Sequence, residues 1–275
     1  MAGDLRGAIL AYYDVLAQGG DAAYALASTY AFAPLPTYAD SAFKYLRIAL
    51  PREDSMQPLY DPDLYYLSDD ERWAQVEATQ LDKLANQVAG TFDRDYARQL
   101  LRIRMNEWAF RYHITLAHRT LGPDSPVVTA LAKVMGEHHN ANEAHLLPLL
   151  EEKGWPTLSA VGEEAAYAAG NVINHSGLAV RQKYIPFLEA ACESGEADWS
   201  RYAHILDRTE LELGNPQVYG TQMEMDEELG RFVPQPIVDP ERVDGRRAAK
   251  GMEPIADQLR RFNESMARDF GSAGD

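Results

Sequence analysis

DRTELELGNPQVYGTQ, residues 207–222, is where the periodicity of this chain changes. Up to Gly214 the pattern is helical, and the Asn215–Pro216 turn then prevents its continuation, because proline has no amide hydrogen to give a helix. Beyond the turn, VYGTQMEM and RFVPQPI flank DEELG in the manner of a β-hairpin with a polar turn. The prolines of the second arm mark it as an edge or irregular strand.

Working outward from this stretch, almost everything else reads as helix. Residues 4–18, 21–32 and 38–50 form three short helices, divided by Gly19–Gly20 and by Pro34 and Pro36. Residues 55–71 read as a polar, proline-containing connector. At its end Ser68, Asp69 and Asp70 cap a helix with Trp73, Val76, Leu81, Leu84 and Val88 at helical spacing. One long helix is expected over 95–120, with Leu100, Leu101, Ile103, Trp108 and Phe110 in the core. Another is expected over 126–153, capped by Asp124 or Ser125 and closed by Gly154. Helices over 158–175, 178–193 and 198–213 follow, with a kink or break expected at Pro148 and Pro186. After the hairpin come helices over 240–250 and 254–269 and a tail, GSAGD, expected to fray. The fold class is therefore mainly α: a bundle-like array of helices with one small C-terminal β-hairpin. The organisation expected is an N-terminal helical region, 1–130, and a helical domain with the hairpin, 131–270.

Composition restricts the partners. Acidic residues number 42 against 26 basic ones, a net charge of −16. Nucleic-acid affinity depends on neutralising phosphates with Lys and Arg, so nucleic acid is not an expected partner, and an anionic membrane surface is disfavoured for the same reason. The single cysteine, Cys192, allows no internal disulfide and sits at an apolar helical position, as a small buried hydrophobe would. The first residues, MAGDLRGAILAYYDVLAQG, contain only a short apolar run interrupted by Asp14, and no stretch approaches the roughly 20 apolar residues of a membrane span. A cytoplasmic protein is expected.

The density of bond-forming side chains in 207–222 suggests a ligand pocket. His175, late in an Ala-rich helix where small residues let neighbouring helices approach, is the candidate general acid or base; the plainer reading is a core or capping histidine. Adjacent helical residues point roughly 100° apart, so Asp207 and Arg208 cannot both face one ligand. The expected arrangement puts Arg208 in the pocket as an anion clamp, while Asp207 holds a neighbour, orients His175 or serves as a second acid/base; a plain interhelical salt bridge competes with it. Strand alternation would set Gln217, Tyr219 and Thr221 on one face, with Gly220 allowing close approach of a ligand or another segment. Asn142, Gln217, Tyr219, Gln222 and Arg247 are the candidate ligand-binding residues. In GEHHNANEAH, His139 and Glu143 share a helix face and His138 lies beside them, a spacing compatible with a metal ion but more often a solvated polar face. No phosphate-binding loop or nucleophile elbow is present, so no nucleotide cofactor is implied.

Several short motifs carry a resemblance. They are Asn142, GWPT at 154–157, VG at 161–162, NHSG at 174–177 and Gln182. DR at 207–208, G-x-P-Q-x-YGTQ at 214–222, DPERVDGRR at 239–247 and GMEP at 251–254 complete the set. With these, residues 139–268 resemble an uncharacterised bacterial family of small, mostly helical domains. That family usually has aspartate at the position of His139, QHAD in place of NHSG, and GL in place of Gly251–Met252. The resemblance implies a site made of His175, Asp207, Arg208, Gln217, Tyr219 and Gln222, and no particular reaction.

The leading expectation is an enzyme acting on a small polar metabolite or peptide by general acid/base chemistry. Three others stand beside it: a non-catalytic accessory protein binding a peptide or metabolite in the same pocket, a metal-dependent oxygenase-like protein using His138, His139, Glu143 and His175, and a buried polar network that only pins the hairpin to the helices.

Overall fold

The computed structural model describes residues 4–32, 36–88 and 90–270. Pro34 and the 271–275 tail, both assigned roles above, lie outside the described residues. The fold is mainly α. Thirteen helices are described: α1 Leu5–Ala17, α2 Ala23–Ala31, α3 Pro36–Ala49, α4 Trp73–Ala85, α5 Arg94–Trp108, α6 Arg111–Leu121, α7 Pro126–Lys153, α8 Leu158–Val161, α9 Glu163–His175, α10 Leu178–Glu193, α11 Trp199–Glu212, α12 Val243–Ala248 and α13 Ile255–Phe270. One antiparallel sheet of two strands, β1 Met223–Asp226 and β2 Arg231–Pro234, lies between α11 and α12 in the chain. None of the described helices is long and apolar enough to cross a membrane.

The chain forms two compact units, one of residues up to Tyr112 together with Ser159–Ala165, the other of His113–Leu158 with everything from Ala166 onward. The boundary expected at 130 falls inside α7, which runs unbroken.

In the first unit a close-packed core gathers Leu26, Leu46, Leu64, Trp73, Leu81, Leu100 and Leu101. Three expectations are corrected here. The 55–71 stretch, expected as a polar connector, is folded inward: its 3-10 turns and the residue before them bury Met56, Leu59, Leu64 and Leu67, and Asp61 begins the second by accepting the amide of Asp63 at 2.9 Å. The helix over 95–120 is two helices, because Ala109 is extended and Phe110 adopts φ 67°. A bulky residue takes that conformation only when its surroundings compensate, and the Phe110 ring sits edge-on to Tyr65 and Tyr66 at 5.6 and 6.2 Å. Third, the helix over 158–175 is split at Gly162, φ 81°. A Cβ there would lie 2.8 Å from Leu84 Cδ1, and the Asp93 amide donates to the Ala160 carbonyl at 2.9 Å, so the short 159–165 segment is pinned to this unit at both points.

In the second unit α10 and α11 pack together, and Pro148 and Pro186 lie inside α7 and α10 without breaking either. Ser125 caps α7 as expected, accepting from the Val127 amide. The hairpin pairs Met223 with Pro234 through Asp226 with Arg231. Its second strand rests on α13, where the Asn263 side chain accepts the Phe232 amide at 2.8 Å and donates to its carbonyl at 3.0 Å.

Asp63 offers a test of the first unit. Burial, and then the neighbouring charge of Asp61, push its carboxyl up to about 6. An unfolded aspartate titrates near pH ~3.9, so the folded state holds this proton more tightly and loses stability as pH rises through that interval. Asp63→Asn keeps the backbone bond to Asp61 and removes the buried charge. Its melting temperature should exceed that of the wild type at pH 7.5, with the gain gone at pH 3.5; an equal gain at both would refute the assignment.

Candidate functional site

Residues 217–222, expected as alternating strand, instead form a turn wrapped around one carboxylate. Asp207 projects from α11 and is wholly buried. Its Oδ1 accepts the amides of Val218 and Tyr219 at 2.7 and 2.9 Å, and its Oδ2 accepts the amide and hydroxyl of Thr221, both at 2.9 Å. A carboxylate has about four lone-pair positions, and all are occupied. Asp207 therefore holds the turn and makes no bond to His175.

The carbonyls of the same turn are taken from the other side by α12. Arg247, also fully buried, donates to the Tyr219 carbonyl at 2.7 Å, to the Glu253 carbonyl at 2.6 Å and to the Gln258 side chain. Arg246 donates to the carbonyls of Val218 and Val238 at 2.9 and 2.5 Å. Gln217 spends its whole amide on the chain: Nε2 donates to the carbonyls of Gln222 and Gln235, and Oε1 accepts the Gln222 amide. Gln222 donates to the His204 carbonyl and the Thr221 hydroxyl. At Gly220, φ 74°, a Cβ would fall 2.4 Å from Ile255 and 2.9 Å from Ile237, so what approaches this glycine closely is the protein itself. Of the candidate ligand-binding residues, Gln217 and Arg247 thus have their side-chain groups engaged by the framework, and Gln222 its amide donors. Tyr219 is buried against the Tyr202 ring, and its phenol is pushed upward by burial, with Asp207 and Glu189 adding to the effect.

His175, at the end of α9, and Arg208, on α11, come together apart from this turn. α9 and α11 run side by side in the same direction: Arg201 lies over the Tyr167 ring at 4.2 Å, a Cβ on Gly170 would fall 2.5 Å from Arg201 Cγ, and Arg208 Nη1 donates to His175 Nδ1 at 3.4 Å. His175 is exposed, and its ring stands edge-on to that of His139 on α7 at 6.1 Å and 81°. Arg208 is half-buried; burial first, and then the nearby Arg181, press its pKa downward, with Glu212 opposing. Yet Arg208 makes no ion pair among the described residues: Glu212 bonds Arg181, which also donates to the Thr209 hydroxyl and the Ser176 carbonyl. Asn174, beside His175 in sequence, is buried, and its Oδ1 has no hydrogen-bond partner among the described residues.

Nothing in the residue types of Asn174 and Arg201 marks them in the sequence. The two-turn spacing of Arg201 and Arg208 on α11 is the signal that could have revealed them as one stripe facing α9. Asn142 is buried on α7, and His138 and Glu143 are half-buried there. Among the described residues no three His, Cys, Asp or Glu side chains gather as metal ligands would. Cys192 is buried, its thiol pushed up to about 12 by burial and then by Asp198, which suits packing and not nucleophilic attack.

Removing the Asp207 carboxylate orphans four donors. Asp207→Ala should cost roughly 3–5 kcal/mol in urea denaturation, and Asp207→Asn nearly as much, since one oxygen becomes a donor facing donors. Unchanged stability in both would show that the turn holds without it.

The search of curated proteins and the search of solved structures each returned no match. A family model does match, over residues 94–269, which include the turn, α9, α11 and the hairpin. The chain belongs to that family, a family of unknown function (DUF6624).

Proposed function

We propose that the protein is an enzyme acting on a small polar metabolite or peptide that bears a carboxylate, by general acid/base chemistry at His175. Arg208 supports this reading most strongly. A half-buried guanidinium stays charged at any physiological pH, and without an anion it retains part of its desolvation cost. A substrate carboxylate supplies the missing charge and matches the planar donor fork.

The same contact prepares the base. Arginine donates and never accepts, so the 3.4 Å bond leaves His175 Nδ1 as acceptor and Nε2 carrying the hydrogen of a neutral ring. When a carboxylate takes over the guanidinium donors, Nδ1 no longer accepts from Arg208 and serves as the proton acceptor for the bound substrate. Asp207, Gln217 and Arg247 contribute by fixing the turn that braces α11.

A binding role without turnover is the second reading. It is favoured by the commitment of Asp207 to the turn, and by Gly177 standing where the resembling family pattern carries aspartate, which leaves His175 without these two orienting carboxylates.

Thermal-shift screening of amino acids, dicarboxylates and short peptides should find a carboxylate ligand that stabilises the wild type. Arg208→Ala should weaken it roughly 10- to 100-fold. His175→Ala should keep binding within about threefold, helical circular dichroism unchanged, and abolish the product detected by mass spectrometry. A ligand returned chemically unaltered by the wild type supports the binding role; affinity indifferent to Arg208→Ala removes both readings.

A further inference from the structure

The first unit contains a cavity that the site above does not use. It has a volume of about 350 Å³ and is walled by α3, the turn after it and α4, with Phe43, Leu46, Leu50, Pro51 and Val76 forming an apolar lining and Arg47 and Arg72 at its polar margin. That volume lies within the range of small-molecule pockets, and an apolar lining with few polar groups is their usual composition.

The two arginines differ. Arg72 is already neutralised: it stacks on the Phe43 ring at 4.2 Å and pairs with Asp40 at 2.7 Å and Asp70 at 2.6 Å. Arg72 thereby closes one margin of the cavity as a structural wall. Arg47 makes no hydrogen bond or ion pair among the described residues and is exposed beside the lining. The remaining polar lining groups, Gln75 and Thr79, bond to one another at 3.3 Å. Among the charged lining residues Arg47 is thus the one without an ion pair to a described residue, in a chain whose net charge is −16.

We infer that this cavity binds a free amphipathic carboxylate, its apolar tail among Phe43, Leu46, Leu50 and Val76 and its single anionic head on Arg47. Water leaves the apolar lining when the tail enters, and this supplies most of the affinity. The guanidinium at the margin selects the charge of the head. A cationic amphiphile meets the same tail site with the wrong sign, and an uncharged one forgoes the ion pair.

Isothermal titration of the full chain with decanoate tests the inference, with decanol and decyltrimethylammonium as head-group controls. One saturable site is expected, weaker by tenfold or more for decanol and undetectable for the cation. Arg47→Glu, an exposed change that leaves the core intact, should weaken decanoate by tenfold or more. Thr79→Trp, at the half-buried margin, should do so by filling the tail space. Arg208→Ala should leave decanoate affinity unchanged, so failure here is separable from failure of the α9–α11 site. Absence of saturable binding, binding indifferent to Arg47→Glu, or binding lost on Arg208→Ala would each overturn it. So would tighter binding of a peptide C-terminus such as acetyl-Leu-Leu-Phe, which would make the cavity a peptide site.

Discussion

A single buried carboxylate, that of Asp207, organises the C-terminal half of the second unit. A turn such as 217–222 exposes amides and carbonyls that no helix or sheet can satisfy, and buried backbone groups must find partners. Here they are divided by polarity: the amides converge on the anion from α11, and the carbonyls of Val218 and Tyr219 on the two arginines from α12. Asp207 and Arg247 are kept in the interior by backbone dipoles of opposite sense, which replace the water they have lost. Gln217 then ties the start of the turn to its end and to Gln235, just past β2, so the hairpin inherits its position from the same centre.

That arrangement separates two uses of polar residues on one helix. Asp207 and Arg208 are neighbours in sequence, and helical geometry turns them roughly 100° apart. One faces the turn and has every lone pair filled; the other faces α9 and has a single long bond to His175. Saturation marks the first as framework. The second is half-buried in a chain rich in acidic groups and still lacks an anion among the described residues, the condition under which a ligand gains most by supplying one.

Much of the helical pattern is legible in the sequence because its signals are local. Apolar spacing and the breaks at Gly19, Gly122, Gly154 and Gly214 locate α1, α7, α10 and α11 within a residue or two, and the hairpin follows from its turn. The misread segments are those decided at a distance. Nothing within 95–120 announces that Phe110 will leave the helix, since its partners, Tyr65 and Tyr66, are over forty positions away. The 55–71 stretch reads as polar because its buried leucines follow neither a helical nor a strand period, yet 3-10 turns place them inward. For the site, the density of bonding groups in 207–222 is a real signal with two causes. A turn full of orphaned backbone groups recruits the same side chains as a ligand does. Sequence cannot tell which donors are already taken, and this is why Asp207, Gln217 and Gln222 read like Arg208.

Counting satisfied groups therefore carries more information here than counting polar ones, and for arginine it needs one further condition. Exposed guanidinium groups such as Arg6 and Arg119 are fully hydrated, so an absent partner there means nothing. An unpaired guanidinium becomes informative where water is partly excluded or where an apolar hollow adjoins it. Arg208 meets the first condition through its half-burial between α9 and α11, and Arg47 the second through the cavity beside α3. Arg72, lining the same cavity, meets the second and is silenced by Asp40 and Asp70. An acidic chain that sets two carboxylates on one cavity arginine and leaves its neighbour unpaired among the described residues has made the charge at that margin selective, because any anion arriving there finds one vacant cation and not two.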